Sequence, residues 1–119
     1  MITETLINNY HADIYIGLKD ILSDYQYTLL DVERECRKYC DEVGLSIFAE
    51  TGTLIYRNGW ELATIVRILQ YDNGTRSNND LFNSAVNLAK FLMMRLRQYQ
   101  CVVRSNERAI RLVKTDLIN

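Results

Sequence analysis

At 119 residues the chain is long enough to bury one hydrophobic core, and 48% hydrophobic with 24% charged residues excludes a disordered or fibrous protein. Its formal charge of −1 hides a division, because residues 1–74 hold six Lys/Arg against twelve Asp/Glu and residues 75–119 hold eight against three. No apolar run approaches the roughly 18–20 residues that span a bilayer, and the N-terminus lacks a secretory signal, so no membrane partner and a cytoplasmic location are expected.

In chain order, Leu6, Ile7, Tyr10, Ile14, Leu18, Ile21 and Leu22 recur at spacings of three and four, which predicts a first helix from Thr3 to about Asp24. Gly17 inside it costs about 1 kcal/mol relative to alanine. Leu29, Val32, Cys36, Tyr39, Cys40 and Val43 predict a second helix from near Thr28 to Val43, with Gly44 as its stop. The period then shortens. Leu45–Glu50 and Thr53–Arg57 read as strands parted by Thr51-Gly52, and Asn58-Gly59 signals a type I′ hairpin into Trp60–Tyr71, where Leu62, Ile65, Val66 and Leu69 also satisfy a helix but the β-branched Thr64-Ile-Val-Arg-Ile favours a strand. Two-residue turns would pair Phe48 with Ile55 and Ile55 with Leu62, giving a meander apolar on both faces and therefore covered on both, by the chain's own helices or by another molecule.

A third helix is expected from about Asn79 to Tyr99, on the stripe Leu81, Ala85, Leu88, Leu92 and Leu96. Cys101-Val-Val-Arg and Ala109-Ile-Arg-Leu-Val, joined by Ser105-Asn-Glu, read as a second hairpin, with residues 115–119 frayed. The expected fold is thus a single α+β domain over residues 1–119, ordered ααβββαββ, with an antiparallel sheet packed against three helices.

Little here points to catalysis. His11 is the single histidine, and two residues from Asp13 on a helix it would face away from it. Cys36, Cys40 and Cys101 show neither a disulfide framework nor metal-ligand spacing, and they read as small core residues. No phosphate-binding glycine loop and no nucleophile elbow occurs, so no catalytic residue, cofactor or metal is assigned.

The basic end carries more weight. Arg95, Arg97, Arg104, Arg108, Arg111 and Lys114 fall within 20 residues, and Arg104 and Arg111 would share one face of the last hairpin. With Trp60 and Phe48 as apolar anchors, they form the expected docking surface for another protein with an acidic surface, or for a second copy of the chain. Nucleic acid is the alternative partner for the same arginines. Abundant Asn, Ile and Tyr without proline resembles the bias of an AT-rich genome, such as that of a virus or mobile element. The expected function is a non-enzymatic interaction factor in the host cytoplasm, an inhibitor or modulator of a host complex. A self-assembling component of a virus particle is the second alternative.

Overall fold

A computed structural model describes residues 1–7, 9–69 and 76–115. Its elements are β1 (His11–Gly17), α1 (Leu29–Val43), β2 (Ser46–Tyr56), β3 (Gly59–Leu69), α2 (Asn78–Arg95), β4 (Gln100–Ser105) and β5 (Ala109–Val113). The five strands form one antiparallel sheet in the order β2-β3-β1-β4-β5.

The expected ααβββαββ order with three helices is therefore wrong; the order is βαββαββ, with two helices. The expected first helix is instead the central strand. Tyr10, Ala12, Ile14, Ile16 and Leu18 alternate without a break, and each is at most 3% exposed. A spacing of four belongs to both periods, so Tyr10, Ile14 and Leu18 fit either; Ala12 and Ile16 fit only the strand. Leu6, counted in the helical stripe, is exposed.

The hairpin also departs from expectation. β2 is one strand of 11 residues, with no turn at Thr51-Gly52, since Thr51 pairs with Thr64 and Gly52 with Ala63. Its turn is Arg57-Asn58, with Gly59 already opposite Tyr56, and neither turn residue takes a positive φ. Ile55 consequently faces Trp60, and Phe48 faces Arg67.

The two helices end on definite signals. At the start of α1, Thr28 Oγ1 accepts from the Asp31 N–H at 3.3 Å and Asp31 Oδ2 accepts from the Thr28 N–H at 2.9 Å, while Gly44 closes the helix at φ 73°. α2 is capped by Ser77 and stops at Arg95, short of the expected Tyr99, because Arg97 adopts a left-handed φ of 48°. The Gln98 N–H then donates back to the Met93 carbonyl at 2.9 Å, completing a Schellman-type ending.

Both helices lie on one face of the sheet, α2 over β1 and β4 and α1 over β2. Ala12, Ile14, Ile16, Val66, Ile68 and Val103 meet Leu81, Ala85, Leu88 and Leu92 of α2 in the core. Among the described residues no element packs on the opposite face. β1 pairs with β3 only as far as Ala63, so β2 and β3 project beyond the sheet as an arm. Of the two covers expected for the meander, the chain's own helices do not supply the one over this arm, since its Leu54, Ile55, Tyr56, Trp60 and Leu62 are exposed. Among the described residues no helix is long and apolar enough to cross a membrane. The fraying expected for residues 115–119 falls, beyond Thr115, outside the described residues.

Candidate active site

Strand alternation decides what reaches the open face. The pairing aligns Glu50, Ile65, Tyr15, Val102 and Arg111 in one row across all five strands. Toward the arm follow Gly52, Ala63 and Gly17, and then Leu54 opposite Glu61. A cleft of about 460 Å³ lies over these rows. Tyr15, Leu54, Ala63 and Val102 give it an apolar wall, Arg104 and Arg111 line one part, and Glu61 lines the part nearest the arm. The Arg104 guanidinium stands 5.9 Å from the centre of the Tyr15 ring, a cation–π contact that orients both side chains.

Past Gly17 the cleft continues into a second hollow of about 530 Å³, which shares Gly17, Glu61 and Gln100 with the first and reaches the loop at Lys19–Asp24. This loop is held from inside. Lys19 bridges to Gln26, and the Asp20 carboxylate accepts from the Leu22 N–H at 2.7 Å and the Tyr27 hydroxyl at 2.9 Å, with Arg97 Nε 3.7 Å away. Burial works against the Asp20 charge, yet these three neighbours together with the Ser23 backbone N–H hold its carboxyl below the ordinary value. Gln98, 7% exposed, crosses beneath: its Nε2 donates to the Lys19 carbonyl at 2.6 Å and the Leu96 carbonyl at 2.9 Å.

The cleft offers no activated thiol. Cys101 lies on β4, but its side chain belongs to the core and burial pushes the thiol up to about 11. Burial likewise pushes Cys36 up to about 12. What the site can do chemically is bind and orient: a flat apolar group against the wall, an anion or π-face at the arginines, and a cation or donor at Glu61.

The basic residues expected to form one docking face are divided. Arg104 and Arg111 reach the open face together, as expected of the hairpin. Arg95 pairs with Glu35 at 3.2 Å on the helix layer, and Arg97 with Asp20. Arg108 lies over the Phe82 ring at 4.0 Å and donates to Asn79. Lys114 follows β5, its backbone N–H bonded to Tyr99. Phe48 falls on the open face and Trp60 on the other side of the arm, so they are not one anchor. Glu61, Gly17, Gln98 and Tyr15 were missed. The alternation through Gly17 was the available signal, since a glycine ending an apolar strand marks a bulge or a close approach.

No family model matches the chain, and no curated protein matches it in sequence. The fold is similar to that of a phage SAM lyase solved in complex with S-methyl-5′-thioadenosine, at 19% identity over 95% of each chain with a TM-score of 0.70. It is also similar to a phage SAM lyase in the apo state, at 19% identity over 98% of each chain with a TM-score of 0.77. The expectation of a non-enzymatic interaction factor, whether host inhibitor, nucleic-acid binder or particle component, is overturned by this likeness to enzymes along nearly the whole chain. Three of the six basic residues on which that expectation rested, Arg95, Arg97 and Arg108, are engaged by the protein's own side chains. At 19% identity the comparison establishes that the chain has the fold of these phage lyases.

Proposed function

We propose that the chain is a lyase acting on S-adenosylmethionine, releasing S-methyl-5′-thioadenosine from the cleft on the open sheet face. The observation that carries this reading is fold correspondence over 95–98% of both chains, combined with a cleft whose chemistry suits the substrate. The apolar wall of Tyr15, Leu54, Ala63 and Val102 suits a purine nucleoside, and Glu61 suits the cationic arm. In the reaction a carboxylate oxygen of the substrate's own four-carbon arm attacks the arm carbon bonded to sulfur; the carbon–sulfur bond breaks with its electron pair staying on sulfur, so the arm leaves as a lactone and the cationic sulfonium becomes a neutral thioether. A lyase adds no water at this step. Charge at sulfur is dissipated on the way, so an apolar wall favours the transition state over the charged ground state relative to water. The protein then supplies orientation and environment, which agrees with a cleft lacking an activated thiol.

Purified protein incubated with S-adenosylmethionine, with products separated by chromatography and identified by mass, tests this directly. Enzyme-dependent S-methyl-5′-thioadenosine is the expected result, and none above the spontaneous rate removes the reading. For location we propose the cytoplasm, where this substrate is made and used. For a partner we propose a second copy of the chain, packed on the face of the arm that carries Ile55, Trp60 and Leu62, opposite the cleft.

A further inference from the structure

Gly17 ends β1 on the open face, and its missing side chain leaves the backbone bare between two oxygens. A Cβ there would lie 3.0 Å from Oε1 of Gln98 and 3.6 Å from Oε1 of Glu61. Acceptors from β3 and from the turn after α2 thus flank one small space, at the junction of the two hollows. The Gln98 amide is not free to turn over. Its nitrogen donates to two backbone carbonyls, and a flipped amide would set its oxygen against both, so Oε1 must face Gly17. The residue is 93% buried, counting from its 7% exposure, and among the described residues nothing donates to that oxygen. Among the same residues Glu61 has no cationic partner. Gln98 and Glu61 both line the second hollow, so these two oxygens present open acceptor positions to whatever occupies it.

We infer that the bare Gly17 backbone, between Gln98 Oε1 and the Glu61 carboxylate, is the subsite that selects a primary ammonium, the α-amino end of the substrate's four-carbon arm. This rests on the lyase reading above. An ammonium brings three donors and a full charge, which one neutral and one charged acceptor satisfy together. The rival use of Glu61, beside the sulfonium, would work against the reaction. A carboxylate there would stabilise the ground state, in which sulfur is fully charged, more than the transition state, in which that charge is fading. The ammonium keeps its charge throughout, so binding it fixes the arm without raising the barrier. Gly17 is then a specificity-determining residue, because any side chain would fill the place of the ligand nitrogen.

Equilibrium binding of three thioethers avoids turnover and tests the assignment: S-adenosylhomocysteine, its analogue lacking the α-amino group, and S-methyl-5′-thioadenosine, which lacks the arm. The wild-type protein is expected to prefer S-adenosylhomocysteine over the desamino analogue by about 10–100-fold, the range of a charge-assisted hydrogen-bond pair. Gly17→Ala should reduce this ratio to less than about 3-fold while changing the affinity for S-methyl-5′-thioadenosine less than about 2-fold. That last affinity shows that the cleft remains folded. Glu61→Gln keeps the shape of the site, removes the charge, and should lower the same ratio if the alanine variant does not fold. Equal affinities of the wild type for the first two ligands, or an unchanged ratio in the variants, would overturn the subsite while leaving the lyase reading in place. Failure to bind any of the three, together with no cleavage of S-adenosylmethionine, would remove both.

Discussion

Arg67 holds Asp13 with both arms of its guanidinium, Nε to Oδ1 at 2.9 Å and Nη2 to Oδ2 at 3.2 Å, from directly opposite positions on β3 and β1. His11 Nδ1 lies 2.9 Å from the same Oδ1, so the sole histidine, expected to face away from Asp13 on a helix, meets it along a strand. Asp13 is 5% exposed. Arg67→Ala would leave this buried carboxylate nearly unpaired and should cost about 3 kcal/mol in urea unfolding. Replacing both partners with apolar residues should recover most of the loss, and a double variant as unstable as the single one would contradict this account.

Glu61→Gln should lower kcat/KM for S-adenosylmethionine by about 10–100-fold with the melting temperature nearly unchanged, because Glu61 faces the cleft and not the core. Initial rates of S-methyl-5′-thioadenosine formation across substrate concentrations provide the measurement.

The cap of α1 carries a pH dependence. The Thr28 backbone N–H, first among its partners, holds the Asp31 carboxyl below its ordinary 3.8. Its folded value is depressed, so its contribution is complete above about pH 4–5 and is lost as the pH falls through the lower folded value. Asp31→Asn should therefore destabilise at pH 7 and make little difference near pH 2. Thr28→Ala, which removes the reciprocal bond, should cost about 1 kcal/mol at pH 7. Denaturant midpoints at the two pH values check both.

Thiol labelling should follow burial. With Cys36 at about 12 and Cys101 at about 11, both stay protonated and slow toward iodoacetamide at pH 8. Cys40 is half-buried and should be labelled first, as read by peptide mass spectrometry.

If the arm packs on a second copy, Ile55→Ser with Trp60→Ser should lower the mass measured by light scattering without loss of the sheet's circular dichroism. An unchanged mass would detach self-association from the arm.

The elements set by local signals were readable in the sequence. Thr28, Gly44 and the Leu29–Val43 stripe carry α1, and the Leu81–Leu92 stripe carries α2. The central strand was not, because Tyr10, Ile14 and Leu18 satisfy both periods and helical propensity alone cannot choose between them. Tertiary pairing with β3 and β4 decides it. The site was less legible still. Gly17, Glu61 and Gln98 lie on three segments that only the sheet order brings together, and none belongs to a local motif. Arg104 and Arg111 were found because a hairpin's alternation is local.

The position of β1 also bears on when the protein can fold. Among the described strands the earliest in chain order is the middle of the sheet, and its two neighbours are residues 63–69 and 102–105. As the chain leaves the ribosome, Ala12, Ile14 and Ile16 wait beside an unformed core until almost the last strand emerges. Closure of the sheet is therefore a late event dominated by distant pairings, which places folding in the slower, millisecond-to-second class. A C-terminal truncation before β4 should yield an aggregating chain and not a smaller folded one.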